Sequence, residues 1–311
     1  MRTAQVAWDT VTPGASHQLV LQDDVDAPDD FLDLVRRAVL RHPAEPLAFY
    51  AHWNSRNGAA VRLAALSGAS WVRCLPEEFT PTQAICLPAD MAGAFRQYAN
   101  PSTDRRDDEV LSSYLRCIRR MSLVAVPNLV EHSGAESLCG NDSEGVRRSP
   151  CLVTSTGAVA ALGHGWVLED TVGLPYMRRG WAHARVAGPD GILGDRGHTA
   201  WQDALPYLGL DAEQMQRLVR THRPRDLAEA VERWFGSHFT SEFWIYCLLL
   251  GRQARLLTRP SIPPSPEVRA AALATLGVSS LPPLERTRLT PDQGALLLEF
   301  TRSGLRGARY A

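Results

Sequence analysis

The chain has 311 residues, of which 45% are apolar and 22% charged, with a formal net charge of −1. That is the make-up of a soluble globular protein long enough for one large core or two modest ones. The near-neutral balance excludes the basic footprint of a nucleic-acid or anionic-membrane binder.

In chain order, "TAQVAWDTV" (3–11) reads as a short helix stopped by Pro13 and Gly14, and "HQLVLQ" (17–22) as an apolar strand. An amphipathic helix follows over 29–42, with aspartates at its N-terminus. "PLAFYA" (46–51) is a strand and "NGAAVRLAALSG" (57–68) a helix ended by Gly68. Strands at 70–75 and 82–88, helices at 89–99 and 107–120, and a strand at 122–130 complete the first half. This alternation predicts an α/β layer with a largely parallel sheet and flanking helices.

Beyond residue 150 the pattern changes. The Gly-rich stretch to about residue 195 reads as loops with short strands, a connection over 151–195. Helices are expected near 198–208, 211–221, 225–235, 240–257, 265–275 and 290–304, so 196–311 reads as a mostly helical C-terminal domain behind an α/β domain at 1–150. The apolar run "FWIYCLLL" (243–250) is too short to span a bilayer and reads as core or as a subunit interface, which allows a homo-oligomer built on these helices.

All 33 Lys-plus-Arg positions are arginine, which reads as a GC-rich coding sequence and excludes a Schiff-base or P-loop lysine. The six cysteines form no C-x-x-C pair and no secretory h-region opens the chain, so reduced thiols in the cytoplasm are expected.

Four stretches carry chemistry. In "LQDDVDAPDD" a strand runs into Asp23 and Asp24, at the sheet edge where open α/β folds bind ligands. Carboxylates there suit Mg²⁺ or Mn²⁺, while Asp26, Asp29 and Asp30 read first as caps of the next helix. Asp107 and Asp108 open a helix, either as plain N-terminal charges or as a general base kept ionised by the helix end. His132 closes a strand in "PNLVEH", either as an ordinary capped histidine or as an imidazole completing an oxygen-rich metal site. In "HWNSRNGA" Trp53, Asn54, Arg56 and Asn57 offer a stacking ring and hydrogen bonds for a sugar or peptide acceptor. The same stretch also reads as a helix start capped by Asn54 or Ser55.

The polar loop 137–150 adds Arg147 and Arg148, able to pair with phosphate, and reads equally as a solvated loop or a lid. In "YMRRGWAHARVAG", Arg178, Arg179, Trp181 and His183 match no metal, triad or phosphate-cradle spacing.

Taken together, "LQDDV", "TPTQAICLPADMAGAF", "DDEV" and "PNLVEH" in this order resemble the GT-A nucleotide-sugar glycosyltransferases, most closely those of the family 25-like type and more loosely the family 2-like type. The resemblance covers about residues 3–150 and rests on order and spacing, with Gln22 standing where that family has a glutamate. It implies a GT-A-like, partly Rossmann-like mixed sheet and a nucleotide-sugar donor with a hydroxyl acceptor. It implies Mn²⁺ or Mg²⁺ on Asp23 and Asp24, with Asp26 as a substitute ligand and His132 as a further one, and Asp107 or Asp108 as base. The resemblance also implies further β-α units ahead of the paired aspartates, where only 22 residues precede Asp23. The competing expectation is a non-catalytic GT-A-like scaffold that binds a partner through its C-terminal helices.

Overall fold

The computed structural model describes residues 6–8, 10–100, 106–134, 145–153, 162 and 165–310. Six short strands form one sheet: β1 (His17–Leu21), β3 (Leu47–Ala48), β4 (Trp71–Arg73), β5 (Ala84–Pro88), β6 (Leu123–Ala125) and β8 (Val167–Leu168), in the order β1-β5-β3-β6-β4-β8. A separate two-stranded ribbon pairs β2 (Val25–Asp26) with β7 (Glu131–His132).

Strand alternation gives the sheet two apolar faces. Leu47, Trp71, Ala84, Cys86, Leu123 and Ala125 point to one side, where Phe31, Leu34, Val35 and Ala38 of helix α1 (Phe31–Arg41) cover them. Ala48, Val72 and Val124 point to the other, against α2 (Arg56–Ser67). Ile85 and Leu87 of β5 are covered by α3 (Ala89–Ala99) and α4 (Asp107–Cys117). All twelve residues of α2 are buried. A helix without a polar stripe is covered all round, and here the cover opposite the sheet comes from the second half of the chain.

That half contributes the hairpin β9 (Leu174–Arg178) and β10 (Trp181–Arg185), the short ribbon β11 (Ala187–Gly188) with β12 (Gly191–Ile192), and β13 (Thr199–Ala200) beside β10. Helices α5 (Trp201–Ala204), α6 (Ala212–His222), α7 (Arg225–Leu257), α8 (Pro266–Ser280), α9 (Pro283–Thr287) and α10 (Pro291–Gly307) follow. Leu63 and Ala64 of α2, Phe243 and Trp244 of α7, Leu276 of α8 and Phe300 of α10 belong to one continuous buried cluster. No described helix is long and apolar enough to cross a membrane.

The fold is mixed α/β with a helical C-terminal region. The expected largely parallel sheet is corrected: only β3–β6 and β4–β8 run parallel, and the other three pairings are antiparallel. The physical reason is that β5 enters between β1 and β3 against both, which apolar run length alone does not reveal. Near residues 236–239 the sequence breaks the helical pattern, and there α7 kinks at Gly236 (φ 80°, ψ 157°). The expected aspartate cap of α1 is also corrected, since Asp30 occupies the N-cap without a side-chain cap bond. Of the expected first helix residues 6–8, which are helical, and 10–11, which are not, are described, and 137–144 of the polar loop, with Cys139, lie outside the described residues.

Candidate functional site

The β2–β7 ribbon determines which acids meet the histidine. Val25 pairs with His132 and Asp26 with Glu131. The Ser133 amide donates to the Asp24 carbonyl at 2.8 Å. This register sets Asp24 beside the ring, with Asp24 Oδ2 3.0 Å from His132 Nε2. The two residues lie 108 positions apart in the sequence. Asp23 and Asp26 are exposed, and Gln22 turns away to donate to the Thr82 hydroxyl at 3.1 Å.

The ring's other nitrogen, Nδ1, accepts the Gly134 amide at 3.0 Å. In the neutral imidazole this leaves the proton on Nε2, on the side of Asp24. Nε2 and Asp24 Oδ1 are both buried, and neither makes an aligned hydrogen bond. Burial pushes the His132 pKa below its usual range, with Asp24 opposing the shift and Arg147 adding to it. Glu131 is held by the Ser149 amide at 2.7 Å. The fully buried Tyr50 hydroxyl has no hydrogen-bond partner among the described residues, and burial raises its pKa, with Glu131 adding to the rise.

This arrangement does not fit the implied metal. A histidine that ligates through one ring nitrogen normally donates from the other, whereas His132 accepts at Nδ1. Among the described residues no group of three or more His, Cys, Asp or Glu side chains is placed to hold a metal ion. Asp24 and His132 therefore stand as an acid–imidazole pair with the ring buried and the carboxylate partly exposed.

Next to this pair is a cavity of about 630 Å³. Asn54, Asp108 and Arg147 line it, three of the residues selected from the sequence and drawn from three separate segments. His52, Ser55, Glu78, Phe79 and Gln83 complete that wall. The second half supplies Arg178, Arg179 and Gly180 from the hairpin tip, and Ser279, Ser280, Pro282, Pro283 and Arg286 from the α8–α9 junction.

Four arginines face two acids there. Glu78 is already committed to Arg56 at 2.7 Å. Asp108 opens α4, and burial raises its pKa, which favours a proton acceptor closer to neutrality. Asp107 is shifted the same way but does not line the cavity.

The other sequence candidates serve the framework. Arg56 is buried, donating to Glu78 at 2.7 Å and to the carbonyls of Glu77 and Arg196, both at 2.5 Å. Asn57 bridges the Phe79 carbonyl at 3.0 Å and the Leu75 amide at 2.9 Å. Ser55, not Asn54, caps α2, accepting the Gly58 amide at 2.9 Å. Trp53 is only 5% exposed, and the Arg286 guanidinium lies 5.8 Å from its ring centroid. Arg148 is exposed and does not line the cavity.

His52 is set by its neighbours. Burial drives its pKa down to about 4, against a hydrogen bond to Asn54, with Arg286 and Arg147 adding to the depression. It is a neutral hydrogen-bonding group at pH 7. Residues 178–180 and 279–286 carry no motif spacing. Their one signal is "MRRGW", a turn flanked by alternating apolar residues.

Comparison with protein-family models, with curated proteins and with solved structures gives no match for this chain.

Proposed function

We propose that the protein is a glycosyltransferase that moves a sugar from a nucleotide-diphosphate donor to a hydroxyl acceptor. The observation that carries this reading is the shared cavity. It brings Asp108, Asn54 and Arg147, chosen on sequence grounds, against Arg178, Arg179 and Arg286.

Each group has a task in such a transfer. Asp108 takes the proton of the acceptor hydroxyl as its oxygen attacks the anomeric carbon, and the bond from that carbon to the diphosphate breaks. The leaving diphosphate gains negative charge, and Arg147 with Arg286 stabilises it. Neutral His52 and the Asn54 amide hydrogen-bond the sugar hydroxyls. Attack from the face opposite the diphosphate inverts the anomeric centre. Because the donors do not fit a resident cation, no step is assigned to one.

A panel of nucleoside diphosphates and nucleotide sugars, read by thermal unfolding, tests the reading. A ligand at 100 times its Kd stabilises by about 2.7 kcal/mol, a shift of roughly 5 °C for a chain of this size. One nucleotide series should give such a shift, and Arg147→Gln should reduce it. No shift with any nucleotide would overturn the reading in favour of a non-catalytic scaffold.

A further inference from the structure

The cavity's positive charge has two poles. Arg147 and Arg286 both act on His52, and Arg147 also acts on His132. Arg178 acts instead on His183 and His198, which do not line the cavity. Arg178 and Arg179 sit at the tip of the β9–β10 hairpin, whose register pairs Arg178 with Trp181. The loop between them is Arg179–Gly180, with φ of 51° and 82°. That is the pattern of a two-residue type I′ turn, which favours Asn-Gly.

An arginine there is held in the left-handed region against its preference. Three described non-glycine residues have positive φ, all arginines, and Arg179 is the one that lines this cavity. The hairpin is fixed from behind. Arg185 of β10 pairs with Glu77 at 3.0 Å. Buried Glu242 of α7 accepts the Ala182 amide at 2.8 Å. The described structure pairs neither Arg178 nor Arg179 with a carboxylate. Two exposed guanidinium groups on an anchored hairpin tip, lining a cavity, suit an anion.

We propose that Arg178 and Arg179 bind an anionic group, a carboxylate or a phosphate, carried by the acceptor. This rests on the glycosyl-transfer reading, with the Arg147–Arg286 pole left to the diphosphate. The acceptor is then a charged hydroxyl compound, such as a sugar acid or sugar phosphate, and not a neutral glycan.

Calorimetric titration of the full chain with glucose, glucuronate, glucose 6-phosphate and UDP tests this, using Arg178→Gln, Arg179→Asn and the double variant. Asn suits the left-handed turn position, so Arg179→Asn removes the charge while retaining the hairpin. Wild type should bind at least one of the two anionic sugars and not glucose, and which one binds separates carboxylate from phosphate. The double variant should lose about tenfold or more of that affinity, with UDP changed by less than about threefold. Equal binding of charged and neutral sugars, no binding of either anionic sugar, or full affinity in the double variant would overturn the proposal. Failure of UDP and of every other nucleoside diphosphate, with the anion preference intact, would overturn the donor reading and leave the anion receptor standing.

Discussion

Replacing His52 by glutamine isolates a single buried imidazole in the cavity wall. Its pKa in the folded chain is about 4 against an ordinary 6.5. A base with a depressed folded pKa binds more protons in the unfolded chain between those values, so stability rises with pH across that window. The contribution is complete above pH 6.5 and is lost as pH falls toward 4. Two and a half pKa units at about 1.4 kcal/mol each give roughly 3 kcal/mol. Urea unfolding of wild type and His52→Gln, followed by tryptophan fluorescence from pH 4 to 7.5, measures it. The wild-type advantage should be about 3 kcal/mol smaller at pH 4 than at pH 7. The other depressed histidines, His42, His132, His183 and His198, cancel in the difference. Parallel pH profiles for the two proteins would refute the reasoning.

Three further substitutions probe the framework of the cavity. Arg62, buried with no ion-pair partner among the described residues, donates to the Trp53 carbonyl at 2.6 Å and the Thr275 hydroxyl at 3.0 Å. Arg62→Met should strand both acceptors and cost about 2–4 kcal/mol after relief of the buried charge, lowering Tm by roughly 3–7 °C. A more stable methionine variant would contradict this. A Cβ on Gly58 would run into the His52 carbonyl and come within 3.1 Å of the Trp53 carbonyl. Gly58→Ala should therefore destabilise by about 1–3 kcal/mol and weaken nucleotide-sugar binding as His52 shifts, and unchanged binding would show that His52 is not held from there. Gly236 occupies a region open essentially only to glycine. Gly236→Ala should cost about 1–3 kcal/mol by thermal unfolding, although open space surrounds the added methyl, and an unchanged Tm would mean the kink is not fixed.

The helices were largely legible because their caps and breakers are local. Thr290 with Gln293 and Asp211 with Gln214 form capping boxes, Ser265 precedes Pro266 at the start of α8, and Gly68 closes α2 in the left-handed region. The sheet was less legible. Its strands of two to five residues carry buried runs that do not encode direction, so β5 gave no sign of running against both neighbours. The meeting of Asp24 with His132 could be anticipated only through the family resemblance, since it depends on the long-range β2–β7 register. The orientation of that ring, set by the Gly134 amide, had no sequence signal at all. Arg178 and Arg179 were set aside and Arg286 was missed because a cavity wall built from a hairpin tip and a helix junction follows no spacing rule, in a chain where arginine is everywhere.

Titration calorimetry of UDP and the other nucleoside diphosphates, run once in EDTA and once with Mn²⁺, tests the central claim most directly. The account predicts binding of one nucleoside diphosphate in both buffers, weakened about tenfold or more by Arg147→Gln or Arg286→Gln. No binding in either buffer would contradict the transferase reading. Binding in Mn²⁺ alone, abolished by Asp24→Asn, would contradict the reading of Asp24 and His132 as a metal-free pair.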